Sequence, residues 1–254
     1  MLGRINLVGL MTMAAFVGMW ELVVGSGFLE YEFLPPPSAI AGRVGDLVAS
    51  GDLAGNVLHT LKVTLIGWVL ASAIGIGLGL LLGLSDTAWR YSMASIEVMR
   101  AIPPVSLVPV ALLVFGFSLR MELMIIIFVS AWPVLVNTID GIRGIRAELL
   151  DVARMLRMGT VTRIRKVLLP AAMPSIVVGL RLGLSLSLVL AVVAEMIGNP
   201  SGLGNALVSA QQALQPEEMF AYVFAIGLLG IGLNAAFGYA ASRLMPSLAR
   251  GAGR

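Results

Sequence analysis

The sequence predicts an all-α fold, a polytopic transmembrane helical bundle of about six spans with a cytoplasmic two-helix loop. The chain is 58% hydrophobic and only 12% charged, whereas soluble domains carry about 25% charged residues. Several apolar stretches approach the length of about 20 residues that a membrane-spanning helix needs. Basic residues are concentrated between these stretches rather than within them. We therefore expect residues 1–254 to form a single transmembrane domain.

Six apolar stretches qualify as spans, and we take the first as a retained span because no small-x-small cleavage site closes it. The third contains Pro103, Pro104 and Pro109, which remove backbone donors and should bend the helix as a gate hinge or a static kink. The predicted spans are residues 7–24, 61–84, 93–117, 121–139, 174–197 and 219–243.

A short amphipathic helix is expected between the first two spans. Pro35 to Pro37 interrupt helix formation there, and Ser38 is a suitable N-cap. The apolar residues that follow fall on one helical face, so we expect this helix to lie along the membrane interface. They are Ile40, Val44, Leu47 and Val48.

Glycines recur every fourth residue in the second span, at Gly75, Gly79 and Gly83. Such a stripe permits close helix contact. We interpret it as ordinary packing between spans; the alternative is a pore-lining or dimer face.

The basic residues predict the orientation, because Lys and Arg accumulate on the cytoplasmic side. With the N-terminus inside, only Arg43 and Arg120 lie outside, among the acidic residues Glu30, Glu32, Asp46, Asp52, Glu217 and Glu218. Both termini are then cytoplasmic. Because the basic residues flank spans, nucleic-acid binding is not expected. The cytoplasmic residues are Arg4, Arg90, the seven basic residues of 140–173, Arg243, Arg250 and Arg254.

Several kinds of chemistry are not expected from this chain. It contains no cysteine, and its single histidine, His59, cannot form a metal site alone and should lie at the polar edge of a span. We identify no catalytic residues and no metal ligands. No Gly-rich phosphate loop with Lys and Ser or Thr is present either, so we expect no nucleotide cofactor on this chain.

The loop 140–173 holds seven of the 17 basic residues and cannot lie in lipid. We expect a first helix over 147–156, with Leu149, Val152, Ala153 and Leu156 on its apolar face, and a second one that begins near Thr160 after a break at Gly159. Pro170 and Pro174 should then turn the chain into the fifth span. The loop is a docking element or, alternatively, a solvated interfacial loop.

The segment DVARMLRMGTVTRIRKVLLPAAMPSI, residues 151–176, resembles the EAA loop of inner-membrane permeases of ATP-binding-cassette importers. That pattern has an acidic residue, two alanines, a glycine six residues after the acid, and an aliphatic-x-Leu-Pro ending. Counting back from Pro170, Arg157 occupies the glycine position, where a Cβ disfavours a left-handed turn. Gly159 is the alternative site of the turn. The positions that the resemblance assigns to coupling with the ATPase are Asp151, Val152, Ala153, Arg157, Gly159, Leu169 and Pro170.

Other strings resemble one subfamily, which moves nitrate, sulfonates, taurine, bicarbonate and related small compounds. The resemblance implies a type I importer-like permease of the bacterial inner membrane that works as a pair, most simply a homodimer. It also implies separate ATPase subunits that hold ATP and Mg, and a periplasmic or surface substrate-binding protein. These strings are WELVV at 20–24, FLPPPSAI at 33–40, RAIPPVSLVPVALLVFG at 100–116, GLRLGLSLSLVLAVVAEMIG at 179–198 and SGLG at 201–204.

Three ionisable residues at or near membrane depth are candidates for the translocation path, because charges there are costly and should face protein or water. They are Arg100, Arg181 and Glu195. Arg181 attracts an anionic solute or, alternatively, satisfies carbonyl groups near the cytoplasmic end of its helix. Glu195 is also expected to tie the outer end of its helix to the following loop.

The function that follows is the permease subunit of an ATP-driven importer of a small, anionic solute, working by alternating access. A secondary transporter is the main alternative, although the inverted repeat and mid-span polar cluster typical of that class are not evident. A non-transporting membrane scaffold is the third interpretation, favoured only by Arg157 at the glycine position.

Overall fold

The structure, a computed structural model, describes residues 7–25 and 33–244. Within these ranges the chain is helical apart from short connections, and no strand is formed. Arg4, Glu30, Glu32, Arg250 and Arg254 lie outside the described residues. The helices are α1 Leu7–Gly25, α2 Pro37–Ser50, α3 Asp52–Leu84, α4 Asp86–Arg100, α5 Leu107–Phe115, α6 Leu119–Arg143, α7 Ala147–Met155, α8 Thr160–Arg163, α9 Leu169–Gly198, α10 Leu203–Gln212 and α11 Pro216–Leu244.

Four helical segments are long and apolar enough to cross a membrane: α3, α6, Thr160–Gly198 and Pro216–Arg243. A fifth candidate is the pair formed by α4 and Pro104–Phe115, which is bent by 75° where the sequence predicts a bend. The apolar part of α1, Met11–Gly25, is shorter. A count of six spans also requires α1 to cross, and that crossing stays a prediction.

The centre of the molecule is a bundle of α3, α6 and α9, in which α3 and α6 run in the same direction. Gly67, halfway along α3, lies against Ile126 in the first third of α6, and Gly83 lies against Ile142 near the ends of both helices. Since α3 and α6 start at the same face, the chain between them must return across the bilayer. The bent pair α4–α5 is therefore a broken span rather than a re-entrant loop.

The helix α9 runs antiparallel to α3 and α6. The Trp68 indole of α3 donates to the Leu180 carbonyl at 2.9 Å, halfway along both helices. Nearby, the Ser187 hydroxyl lies 2.9 Å from that of Ser130 on α6. These two bonds join the three helices and satisfy the polar groups that take part in them.

The glycine stripe of α3 packs against α6, which confirms the packing interpretation. A Cβ on Gly75 would lie 2.9 Å from the carbonyl oxygen of Ala131, and one on Gly79 would lie 2.6 Å from the Cβ of Thr138. Side chains at these positions would push the two helices apart.

The amphipathic helix α2 packs on α11 and α3. Its residues Ile40 and Leu47 are buried in that contact, whereas Val48 is exposed. The N-cap prediction for Ser38 is wrong, because the helix begins at Pro37 and its N-cap is Pro36. Instead, the Glu21 carboxylate of α1 accepts hydrogen bonds from the Ser38 backbone N–H and hydroxyl at 2.9 and 2.7 Å. A carboxylate from another helix thus takes the place of a local cap because it satisfies a free N–H in the first turn.

The two ends of the bundle differ in charge. We name the end with the starts of α3 and α6 the acidic face, and the end with their C-termini and α7 the basic face. The acidic face carries Asp46, Asp52, Glu217 and Glu218, and Arg43 there is paired with Glu218. The basic face carries Arg143, Arg146, Arg154, Arg157, Arg163, Arg165 and Lys166.

Candidate functional site

The helix α7 lies on the basic face, between the end of α6 and the helical segment Thr160–Gly198. Its inward side is formed by Ala153, which is buried, and by Leu150, which packs with Ile142 of α6 and with Leu168. Asp151 is exposed and accepts a hydrogen bond from Arg154 at 2.7 Å. A small apolar contact thus anchors α7 to the ends of the spans.

The outward side of α7 is apolar and uncovered, and we name Leu149, Val152, Met155, Leu156 and Val161 the apolar patch. Met155 is 82% exposed and Val161, on α8, is 69% exposed. The predicted apolar face of α7 is therefore not its packing face, since only Ala153 of that set is buried. Leu150 and Ala153 make the contact with the spans instead. They are three residues apart and therefore lie on the same side of this nine-residue helix.

The chain leaves α7 through a left-handed turn at Arg157, whose φ is +47°. The Met158 N–H donates to the Ala153 carbonyl at 3.1 Å, and the Arg157 N–H donates to that of Arg154 at 2.9 Å. This pair of bonds is a Schellman motif, which normally has glycine at the left-handed residue. Gly159 has φ −63° and precedes α8, so Arg157, and not Gly159, forms the turn.

The predicted turn of the chain at Pro170 and Pro174 is wrong, because the chain stays helical from Thr160 to Gly198. A π turn at Ile164–Leu168 precedes Pro170, and the Leu169 N–H donates to the Ile164 carbonyl five residues earlier. The shifted hydrogen bonds make room for a proline ring, which would clash with the carbonyl four residues before it in an unbroken α-helix. The second loop helix is thus the first part of the long span.

A second polar site lies inside the bundle near the acidic face, around the buried carboxyl group of Glu195. Its Oε2 accepts hydrogen bonds from the Thr60 hydroxyl at 3.0 Å and from the Gly204 N–H at 2.9 Å. The Thr60 Oγ1 in turn accepts from the Leu203 N–H at 3.0 Å. Gly202 has φ +98°, and a Cβ there would collide with the Glu195 carboxyl. Glu195 therefore ties α9 to the following loop, as the sequence predicts.

A second buried carboxyl group, that of Glu122 on α6, lies in the same region. Its Oε1 accepts a hydrogen bond from the Asn199 side chain, and its Oε2 lies 3.6 Å from Nε2 of His59. The Asn199 Nδ2 is also 3.3 Å from that histidine nitrogen. We name Thr60, Glu122, His59, Asn199 and Glu195 the polar cluster. It joins the starts of α3 and α6 to the end of α9.

The sequence profile of the family described as binding-protein-dependent transport system inner membrane component matches residues 75–250. The chain belongs to this family. The matched range contains α7, the turn at Arg157, and both buried glutamates of the polar cluster.

Two relatives indicate which subfamily the chain resembles. The aliphatic sulfonates transport permease protein SsuC of Bacillus subtilis is 33% identical over 222 residues, which are 87% of this chain and 80% of the relative. The nitrate import permease protein NrtB of Leptolyngbya laminosa is 32% identical over 191 residues, 75% of this chain and 68% of the relative. The chain is thus an importer permease of the sulfonate and nitrate type.

Solved structures agree on the fold. An amino acid ABC transporter with histidines matches with a TM-score of 0.60 at 20% identity, over 80% of this chain and 97% of that one. An inward-facing MetNI methionine ABC transporter matches with a TM-score of 0.59 at 18% identity, over 72% of this chain and 94% of that one. The permease therefore has the all-α, type I importer fold that the sequence predicts.

The three candidates for the translocation path lie in different surroundings in the permease. Arg181 is exposed on α9, and Glu195 is fully buried in the polar cluster. Arg100 is exposed at the last residue of α4, before the break in the third span. The structure does not bring these side chains together, and their role in the path stays a prediction.

The sequence analysis missed three residues of the polar cluster, namely Thr60, Glu122 and Asn199. The contact between Glu122 and Asn199 joins residues 77 positions apart, so no local sequence pattern indicates it. A glutamate in the first turn of an apolar helix was the only available signal. Within residues 7–25 and 33–244, no group of three or more His, Cys, Asp or Glu side chains is arranged to hold a metal ion.

Proposed function

We propose that this permease is one of two membrane subunits, most simply two identical copies, of an ATP-driven importer in the bacterial inner membrane. ATP and Mg are held by separate ATPase subunits, and closure of those subunits switches the paired spans between inward-open and outward-open states. The solute is small and anionic. Support for the solute comes from the relatives named for aliphatic sulfonates and nitrate.

The observation that carries this proposal is the apolar patch on α7 and α8, next to the exposed Asp151. These large apolar side chains are not packed in the protein core, and exposed patches of this kind typically mark a contact with another protein or with a membrane. A rigid helix fixed to two spans by Leu150 and Ala153 transmits a push from a partner into the bundle. We infer that the ATPase seats this helix in a groove, with Asp151, Val152 and the turn at Arg157 in contact.

The proposed orientation has the basic face and both termini in the cytoplasm, and the acidic face outside. The charge difference between the two ends of the bundle supports it. A substrate-binding protein then delivers the solute to the acidic face. Arg181, exposed on α9, lies on the path of the anion in this proposal, with Arg100 beside the broken third span.

Co-purification tests the docking role of α7. In Asp151→Lys, the permease should insert into the membrane normally but retain about ten-fold less ATPase subunit, since a charge reversal in a protein contact typically costs more than 1.4 kcal/mol. Asp140→Lys is the matched control, because Asp140 is exposed at the end of α6, on the same face but outside the apolar patch.

Three outcomes would contradict the proposal. Equal recovery of the ATPase with Asp151→Lys and with Asp140→Lys removes the docking role of α7. Uptake into vesicles that persists without ATP supports a secondary transporter instead, and a stable complex that moves no solute supports a membrane scaffold.

A further inference from the structure

A cavity of about 320 Å³ opens at the basic face, between the ends of α3 and α6, the start of α4, and the α7–α8 segment. Nothing in the coupling mechanism above requires it. Its polar lining consists of Asp86, Arg143, Arg154 and Arg163, and its apolar lining includes Leu150 and Leu168. Three arginines thus share one recess with a single carboxylate.

Two of these arginines already have partners within the permease. Arg143 lies 2.8 Å from the Asp86 carboxylate and stacks 4.1 Å from the centre of the Trp89 ring. Arg154 pairs with Asp151 at 2.7 Å. Each guanidinium has five N–H donors, so both retain free donors that can face a ligand in the cavity.

Arg163 is different, because its Nε is buried and has no hydrogen-bond partner. Among the residues that the structure describes, it also forms no ion pair. Leaving a buried donor unpaired is unfavourable, and more so when the group is charged. An anionic oxygen in the cavity would satisfy this donor and balance the excess of arginine.

The position of the cavity favours an amphiphilic ligand. Its apolar walls, including Gly83, Leu84 and Ile142, are the last residues of two spans, where the protein meets the edge of the bilayer. Trp89, at the start of α4, is of the residue type that collects at this boundary. A free anion would use the arginines only, whereas a lipid would use the arginines and the apolar walls together.

We propose that this cavity binds the phosphate group of an anionic phospholipid of the adjacent leaflet, with Arg163 and Arg154 as the donors and Arg143 as a supporting charge. Basic recesses between spans on the cytoplasmic side are suited to such headgroups. The identification of this leaflet as the cytoplasmic one rests on the orientation in the proposed function. A bound lipid would link α7 and α8 to the ends of α3 and α6.

The test measures lipid retained by the purified full-length permease in detergent, by native mass spectrometry during titration with phosphatidylglycerol. Arg163→Gln should weaken retention about five-fold, the equivalent of about 1 kcal/mol for one cation near an anionic headgroup. Arg163→Lys should lose less, because it keeps the charge. Arg165→Gln is the matched control, since Arg165 is exposed two residues away and does not line the cavity, and it should retain lipid normally.

Three results would overturn the proposal. The first is equal lipid retention by Arg163→Gln and Arg165→Gln. The second is equal retention of phosphatidylcholine and phosphatidylglycerol by the unchanged permease, which would remove recognition of the anionic charge. The third is displacement of phosphatidylglycerol by millimolar inorganic phosphate, which would assign the site to a free anion.

Two features of the design keep these results interpretable. If Arg163→Gln does not fold, Arg154→Gln carries the same comparison with Arg165→Gln. Because the titration uses the permease without ATPase subunits, a failure here is distinct from a failure of Asp151→Lys to release the ATPase.

Discussion

At Arg157 the backbone adopts a left-handed conformation, with φ of +47°, which costs a residue with a Cβ about 1–2 kcal/mol. The hydrogen bonds of the Schellman motif and the anchoring of Ala153 hold the turn in place. The arginine therefore still forms a Schellman turn at the end of α7, so its presence at the glycine position does not by itself favour a non-transporting scaffold. The strain is local and should be removable by one substitution.

Arg157→Gly should stabilise the end of α7 by about 1 kcal/mol, because glycine adopts positive φ without the steric cost of a Cβ. Hydrogen exchange of the α7 amides in detergent measures this as slower exchange. Arg157→Ala is the control, since it removes the charge but keeps the Cβ. Equal behaviour of the two variants would show that the side chain, rather than the backbone, determines stability at this turn.

The buried Glu195 carboxyl group accepts hydrogen bonds from one side-chain hydroxyl and one backbone N–H. Glu195→Ala leaves the Thr60 hydroxyl and the Gly204 N–H without their acceptor, at about 1–3 kcal/mol for each group. We expect a thermal unfolding midpoint several degrees lower, and faster exchange in residues 199–204. Glu217→Ala, an exposed residue on the acidic face, should change neither quantity. A stable Glu195→Ala permease with a protected loop would contradict the role of this carboxyl group.

At the scale of elements, two local features shape the bundle. A stripe of glycines allows close helix contact, and a π turn keeps a proline-containing helix continuous. The glycine stripe lets α3 approach the backbone of α6, since Gly75 and Gly79 lie directly over α6 atoms. The π turn before Pro170 keeps the Thr160–Gly198 segment continuous. In the proposed function, this continuous helix would carry a movement of α8 by a partner toward the polar cluster.

Gly75→Ala should destabilise the permease by about 1–3 kcal/mol, because the added Cβ would crowd the Ala131 carbonyl and the Val134 side chain. Gly77→Ala is the matched control on the same helix, since a Cβ there meets nothing within 4 Å. It should be neutral or slightly stabilising, because alanine is the better helix former. Thermal unfolding of both variants in the same detergent provides the comparison, and equal midpoints would contradict close packing of α3 on α6.

For the whole molecule, the parallel arrangement of α3 and α6 determines the topology, because it requires the bent α4–α5 pair to cross the membrane. The polar cluster joins three helices near the acidic face, and α7 lies at the basic face. These opposite ends suit a subunit that receives solute on one side and mechanical force on the other, as in the proposed function.

Transport by the assembled importer tests the proposed role of Arg181. In Arg181→Gln, uptake of the anion should fall about five- to ten-fold at an unchanged protein level, because a cation that concentrates the anion is lost. Arg181→Lys should recover most of the uptake, since it retains the charge. Unchanged uptake by Arg181→Gln would assign this arginine to structure instead of the path.

Much of this organisation is predictable from the sequence because it depends on neighbouring residues. Long apolar runs determine which segments are spans, and the unequal distribution of charge distinguishes the two faces. Counting back from Pro170 places Arg157 at the glycine position of the loop pattern, but Gly159 stays the alternative site of the turn until the backbone of the structure decides between them. The contact of Glu195 with the following loop is equally local, over nine residues.

Only the tertiary structure decided which distant groups meet. The pairing of Glu122 with Asn199, the bond between Thr60 and Leu203 across 143 positions, and the three arginines of the basic cavity each require separate helices to pack in one register. The packing of α7 on the bundle also determines that Leu150 and Ala153 form its inner side. The helix continues through Pro170, where the sequence predicts a turn of the chain, because a π turn precedes the proline. Local sequence determines helical and apolar character within a few turns, whereas contacts across the bundle depend on how whole helices align.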